Sequence, residues 1–557
     1  MLRVRSVLLP LAISLPVIAA VVAALWVLGS SSGQRDKFSS LEIAPHDVDL
    51  YMAINTDPAS SQWLAVNGVL DTVNATNPIL DAIDKALEEF DLEWERDFVP
   101  LAGDEGFFAV TDLDALENGG GWVMAFQLRD TGRAEVIFLD IAAQSEEDNG
   151  EVLREEEYEG ETVYYFESAF VEAAPSGGAL AFVEDVSIIG FSRDDVEGVI
   201  DVVRGRADSA GNNERLQEMR RRQGDDFLLW AYTDLGRLWD FVEETVKNEP
   251  DAPFDAAELL AKARGQADRM SVAVSARRDA FVLDASVLRA PDAEEEQSLA
   301  RVFDSRFAGT VPVDTMFFAA GYDLFNGTYV PLRDAISETP IESADQQTVE
   351  EAINDLEQEI GLNFEEDLLG LLTGEFAVAF NASDFDAEVP GFDMLALFDV
   401  SDPERMERSM LKLGDYFEGQ ELLAMRSSGR EGVYAWEPYE GGGDAVAWTV
   451  SAGRLAIGFP ESGVEKFLEG ARPSLADSAD WQGTMDLLPD DKTSVVYVSI
   501  SRLLEEVRRT EGAEDGLRDA TDGDLTFDDL MRIRSVGMAT TSLEGGQAFS
   551  IAVLVRE

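Results

Sequence analysis

The chain has no cysteine and a single histidine, His46. Disulfides, thiol nucleophiles, iron–sulfur clusters and cysteine-ligated zinc are therefore excluded. A serine triad would have to recruit His46, and a multi-histidine metal site is impossible. Positive charge is the other scarcity: 43 Lys and Arg stand against 110 Asp and Glu, a formal net charge of −67. A field of that sign repels phosphate backbones and anionic head groups, which argues against nucleic acid as a partner. Its plain reading is a solvated acidic surface suited to salty surroundings, in preference to a specific cation site. Apolar residues, at 45%, are plentiful enough for packed cores. A length of 557 residues implies more than one of them.

Residues 1–28 read as an N-terminal transmembrane anchor, or uncleaved signal. Val7 to Leu28 carries no charge, and a helix of that length spans about 30 Å, the thickness of a bilayer core. Arg3 and Arg5 precede it, which keeps the N-terminus in the cytoplasm and sends the main body across the cytoplasmic membrane. The rival is a cleaved signal peptide, whose apolar region is usually shorter and ends in a small-x-small site; Val27-Leu28-Gly29 matches that poorly. Residues 29–40, rich in Gly and Ser, form a flexible tether.

Beyond the tether the chain repeats itself. Val186-Ser-Ile-Ile-Gly-Phe191 leads into a helix start with apolar Val196, Val199 and Ile200; Arg454-Leu-Ala-Ile-Gly-Phe459 leads into another with Val464, Phe467 and Leu468. Further matches follow in order. Met316 to Ala320 answers Leu50 to Ile54. Val349, Ile353 and Ile360 answer Ile79, Ile83 and Phe90, and Asp367 answers Asp97. Short turns between neighbouring apolar runs favour antiparallel pairing. The expected fold is α+β, with two tandem homologous, pseudo-symmetric units of antiparallel sheet and packed helices. The first occupies 41–288 and the second 307–557; a linker at 289–306 carries a connecting helix from Leu299 to Phe307.

Pro45-His-Asp-Val-Asp-Leu-Tyr-Met-Ala-Ile-Asn55 with Asp57-Pro58, and the restart at Val311-Pro-Val-Asp-Thr-Met-Phe-Phe318, resemble the bacterial envelope proteins grouped as domain-of-unknown-function family 3352. The resemblance implies a membrane segment followed by a long mixed α and β body. His46 departs from the small residue expected at that point. No catalytic residue comes with the resemblance.

Each chemical candidate has a plainer structural reading. His46 precedes a strand with no nucleophile motif beside it. Asp519 to Asp524, with Asp528 and Asp529 beyond, has a calcium-loop flavour, but Arg518 and Ala520 stand where carboxylates are needed. Asp97 and Asp367 recur in both halves, as a cap or turn would, whereas an active site needs only one copy. Gly119 to Gly121 and Gly441 to Gly443 lack the lysine of a phosphate loop and read as turns. The sequons at Asn74, Asn326 and Asn381 are short enough to arise by chance. Trp230, Tyr232, Phe317, Phe318, Trp448 and Tyr497 read as core, or else as the lining of a groove for an apolar ligand. No catalytic, cofactor-binding or metal residue is assigned. The leading reading is a non-catalytic binding or scaffold protein of the cell envelope, its partner an envelope protein or an apolar ligand. The alternatives are a hydrolase using carboxylates or Ser/Lys chemistry and a carrier of an apolar ligand.

Overall fold

The computed structural model describes residues 39–556 apart from 58, 73–91, 119, 150–151, 168–177, 248–266, 278, 291–300, 325–348, 384–390, 429, 439–444, 511 and 521–525. The expected anchor at 1–28, most of the tether and the helical face of Ile79, Ile83 and Phe90 lie outside the described residues. Among those described, no helix is long and apolar enough to cross a membrane. The chain divides into two compact units between Glu294 and Glu295, short exchanges at 72–74 and 545–547 aside.

The strands of the first unit are β1 (Leu50–Asn55), β2 (Ala102–Val110), β3 (Trp122–Leu128), β4 (Val152–Tyr158), β5 (Glu161–Glu167), β6 (Ala179–Val183), β7 (Val186–Gly190), β8 (Leu229–Asp234), β9 (Arg269–Arg277) and β10 (Ala280–Leu288). Every pairing is antiparallel, and the spatial order is β10-β9-β8-β1-β2-β3-β7-β6-β5-β4. The first strand is thus central, flanked by β2 and β8. Hairpin connections dictate much of this order: Glu159 and Gly160, both at positive φ, turn β4 directly into β5. The outer strand β4 exposes Glu155, Glu156 and Glu157, a charged edge that discourages pairing with a further chain.

In the second unit the strands are β11 (Phe317–Tyr322), β12 (Glu375–Ser383), β13 (Gly391–Asp399), β14 (Leu423–Ser427), β15 (Val433–Pro438), β16 (Val446–Ser451), β17 (Arg454–Phe459), β18 (Lys492–Ser499), β19 (Ile533–Leu543) and β20 (Gly546–Val555). Their order is β20-β19-β18-β11-β12-β13-β17-β16-β15-β14. It is the order of the first unit with each strand number raised by ten.

Alternation sends one set of side chains inward. In the first unit Tyr51, Phe107, Trp230 and Tyr232 are fully buried on one sheet face, with Tyr51 and Phe107 stacked at 5.8 Å. In the second, Phe318 and Tyr497 meet the edge of Trp481 at 5.3 and 5.2 Å. The Gly-Phe repeat has a steric cause. A methyl at Gly190 would lie 2.9 Å from the Asp195 Cβ and 3.1 Å from the Val196 side chain; at Gly458 it would lie 3.0 Å from both the Val464 backbone and side chain. The strand must end in glycine for helices Arg193–Val203 and Ser462–Glu469 to seat on the sheet. Val196, Val199, Ile200 and Val464 are fully buried there, whereas Phe467 and Leu468 are half-buried.

Three expectations need correction. Met316 answers Asp49, not Leu50: Asp234 donates its N–H to the Asp49 carbonyl, and Ser499 donates to that of Met316. The core residue equivalent to Tyr51 is therefore Phe318; a one-residue slip reverses the faces of a strand. The linker helix is not formed over its described part. Residues 301–306 are non-helical and only Phe307–Gly309 makes a 3-10 turn, because Phe303 donates to the Lys492 carbonyl and Phe307 is buried. Arg502-Leu503 answers Arg237-Leu238 in the sequence, and Leu503 is expected to pack its helix onto the sheet; in helix Ile500–Arg508, however, Leu503 is 36% exposed and Ser501 faces inward. That helix follows β18 with no intervening residue, so the strand end sets its phase.

Gly190→Ala and Gly458→Ala are each expected to cost about 1–3 kcal/mol through overpacking, while Leu503→Asp changes stability by less than about 1 kcal/mol. Urea denaturation of the three variants measures both; equal midpoints for wild type and the glycine variants would refute the close approach.

Candidate functional site

The segment from Pro45 to Val48 runs into β1 and is pinned by a bridge between Pro45 and Ser209. Asn213 caps helix Glu214–Gln223 by accepting the Arg215 and Leu216 N–H groups at 3.1 and 3.3 Å, and its amide donates to the His46 carbonyl at 3.1 Å. Asp234 ends β8, Arg237 lies in helix Leu235–Lys247, and Asp268 precedes β9. These segments enclose a polar cleft of about 390 Å³ lined by His46, Asp47, Arg215, Arg237, Asp240 and Asp268 among others.

Its charges are largely paired. Arg215 lies 2.7 Å from Asp268 and 3.6 Å from Asp234. Arg237 donates at 2.8 Å to Asp49, whose side chain is 8% exposed and also accepts the Leu113 N–H. That hydrogen bond holds the Arg237 guanidinium above its ordinary range, so it stays charged. Burial, reinforced by Asp234, pushes the Tyr232 hydroxyl up to about 12, leaving it neutral. His46 turns Nδ1 to Asp47 at 3.0 Å. Among the described residues no Ser, Thr or Lys lines the cleft, and the residues that do line it offer guanidinium donors and carboxylate acceptors. Sequence reasoning nominated only His46; the rest come from distant segments with no spacing motif.

The second unit carries the helix-to-sheet ion pair with its charges exchanged. Asp480 is the second residue after the cap Ser478, as Arg215 is after Asn213, and it meets Arg534 of β19 at 3.1 Å. A contact that works in either polarity is a tether between helix and sheet.

The recurring aspartates also sit in matching surroundings. Asp97 accepts from Arg96, the Glu93 N–H at 3.0 Å and Arg133 at 3.3 Å. Asp367 accepts the Asn363 N–H at 2.9 Å and Arg405 at 2.6 Å. Arg133 and Arg405 are the third residues of the helices that follow β3 and β13. Hydrogen bonding, led by Arg96 for Asp97 and by the Asn363 N–H for Asp367, holds both carboxyls below the usual range. Both aspartates join a turn to a helix.

The other candidates are dispersed. Asp529 closes a capping box with Thr526, and Asp528 pairs with Arg508 at 2.7 Å; the side chains of Asp519 to Asp524 lie outside those described. Gly121, at positive φ, turns toward β3 against the Asp112 carbonyl, while Gly119 and Gly441 to Gly443 are outside the described residues. Asn381 accepts the Met316 N–H at 2.7 Å; Asn74 and Asn326 are outside the description. Trp230, Tyr232, Phe318, Trp448 and Tyr497 are core residues, and Phe317 is half-buried on the opposite sheet face. Among the described residues no group of His, Asp and Glu has the arrangement of a metal site.

Residues 11–546 match the family described as "Protein of unknown function (DUF3352)", and the chain belongs to it. No curated protein matches. Among solved structures, crystal form III of TP0453 is similar at 11% identity and a TM-score of 0.25, over 46% of this chain and 81% of that one. Crystal form IV gives 13%, 0.25, 45% and 80%. Similarity at that level carries no conclusion about this chain.

Because the folded carboxyl values of Asp97 and Asp367 are lowered, their stabilisation is present above the unfolded value near 3.9 and lost as pH falls through the folded value. Asp97→Asn and Asp367→Asn are each expected to destabilise by about 1 kcal/mol at pH 7. The gap to wild type narrows as pH falls through the lowered folded values and closes once both carboxyls are protonated, which melting curves across the acid range will show.

Proposed function

We propose that this DUF3352 protein is a single-pass, membrane-anchored extracytoplasmic protein, built from two tandem copies of one fold, that binds or scaffolds a component of the cell envelope without catalysis. The shared strand order supports the tandem reading. So do the glycine seats at Gly190 and Gly458 and the aspartate clasps Asp97–Arg133 and Asp367–Arg405. The uncharged run from Val7 to Leu28, preceded by Arg3 and Arg5, supports the anchor and its orientation.

One observation carries the non-catalytic reading. The recurring carboxylates, Asp97 and Asp367, are bound to arginines and backbone N–H groups in matching structural contacts.

A second reading, an apolar ligand, draws on a different feature. In the second unit Phe380, Phe392 and Phe459 from β12, β13 and β17 form a run of rings with centroids 6.0 and 5.0 Å apart. Phe380 is 36% and Phe392 42% exposed, an adjoining apolar surface of the kind that takes a hydrocarbon partner.

The full-length protein is expected in the membrane fraction and open to protease added outside spheroplasts; deletion of residues 1–28 keeps it in the cytoplasm, released from the membrane. A soluble wild type of reduced mass would show a cleaved signal, and a protease-protected body would reverse the orientation. For the second reading, Phe392→Ser should weaken binding of a fluorescent fatty acid at least fivefold; unaltered binding removes it.

A further inference from the structure

We propose that the first unit holds an internal water site, of one or two molecules, between helix Glu214–Gln223 and strands β8 and β9. Four polar atoms belong to that helix and those strands, all buried and without a hydrogen-bond partner among the described residues: Arg220 Nη1, Gln223 Oε1, Trp230 Nε1 and Ser271 Oγ. Arg220, Trp230 and Ser271 are 6%, 0% and 1% exposed.

Position makes them one group. Arg220 and Gln223 are three apart on the helix and share a face. Trp230 and Ser271 are diagonal neighbours on the sheet, since Tyr232 pairs with Ser271 and Trp230 with Ala273. The Arg220 guanidinium lies 5.1 Å from the Trp230 ring centroid. The Gln223 amide nitrogen donates to the carbonyls of Ser271 at 3.2 Å and Asp284 at 2.9 Å. Both partners are acceptors, which fixes the amide orientation and leaves Oε1 as the atom without a partner.

The occupant is neutral and small. The charge of Arg220 is already met by Glu105 at 3.6 Å and Asp225 at 3.3 Å, so an added anion would lack a counter-charge, and the N–H donors of Arg220 and Trp230 do not suit a cation. The group offers three N–H or O–H donors and acceptors at Gln223 and Ser271, the two to four partners that a buried water requires. Leaving four such atoms dry would be costly. The second unit has no counterpart: strand pairing and the helix cap put Met485, Leu488, Val495 and Gly537 at the matching places. There the four matching places hold no polar side chain, and helix and sheet bond directly, Thr484 to Ser535 at 2.6 Å; in the first unit the four orphaned groups occupy those places. This comparison rests on the tandem reading, whereas the four orphaned atoms do not.

Ser271→Ala in the full-length protein separates the alternatives, because it removes the orphaned hydroxyl and leaves the Ser271 carbonyl in place. If water is bound, the variant melts about 2–4 °C lower and loses a long-lived water from the oxygen-17 relaxation dispersion of the wild type. If the site is dry, deleting an unsatisfied hydroxyl leaves melting unchanged or raises it. Either that result or an unaltered relaxation dispersion overturns the proposal.

Discussion

Each unit depends on a buried glutamate that holds the incoming chain. Because the first strand is the middle of its sheet, the entering segment must be fixed over strands contributed later. Glu105, 4% exposed and opposite Asn55, accepts the backbone N–H and hydroxyl of Ser40, whose hydroxyl also bonds Tyr51 at 2.6 Å. Glu375, 2% exposed and opposite Tyr322, accepts the Ser305 hydroxyl at 2.7 Å and the Phe307 N–H at 3.2 Å. A carboxylate out of water is stable only when its oxygens are bonded. The two glutamates are bonded largely by the segment that starts their unit, so the chain's entry and the closure of the sheet are one event.

Against that shared frame, the units differ in how the helix that precedes β8 or β18 is attached. Arg220 completes the Glu105 network in the first unit, lying over Phe227 at 4.0 Å, and draws polar neighbours in with it. In the second, Arg306 of the entry segment bonds Glu375 from the exposed side at 3.1 Å, and the helix meets the sheet through Leu488, Val495 and the Thr484–Ser535 hydroxyl pair at 2.6 Å. Which side supplies the guanidinium decides whether an arginine lies under that helix.

Strands and hairpins were legible in the amino-acid sequence because alternation and turn residues act locally. Val152 to Tyr158, Glu159-Gly160 and Glu161 to Glu167 announce themselves without the remaining chain. Asp97 and Asp367 were legible through recurrence. The phase of β11 was not, because Met316, Phe317 and Phe318 are all apolar and either face satisfies the pattern; the hydrogen bond from Ser499 decides it. Leu503 misled for a related reason, since apolar spacing marks a helical stripe and not the direction the stripe faces. The cleft was beyond reach, as His46, Arg215, Arg237 and Asp268 meet only after β1, β8 and β9 have paired.

The scarcity of positive charge acquires a structural meaning once the arginines are placed. Arg133, Arg405, Arg215, Arg534, Arg220 and Arg306 each tie a carboxylate across separate elements. Guanidinium suits that use, being planar, always charged and able to bridge two acceptors. Arginines paired in this way leave the net charge of −67 to the carboxylates in excess. Such a charge repels anionic partners over about a Debye length, 8–10 Å at ordinary salt, and less as salt rises. A partner of the kind proposed would then be cationic, or be gripped through contacts indifferent to charge. The ring run of Phe380, Phe392 and Phe459 is a contact of the second kind, and the arginine-lined cleft, crowded by aspartates, suits a ligand that carries both signs.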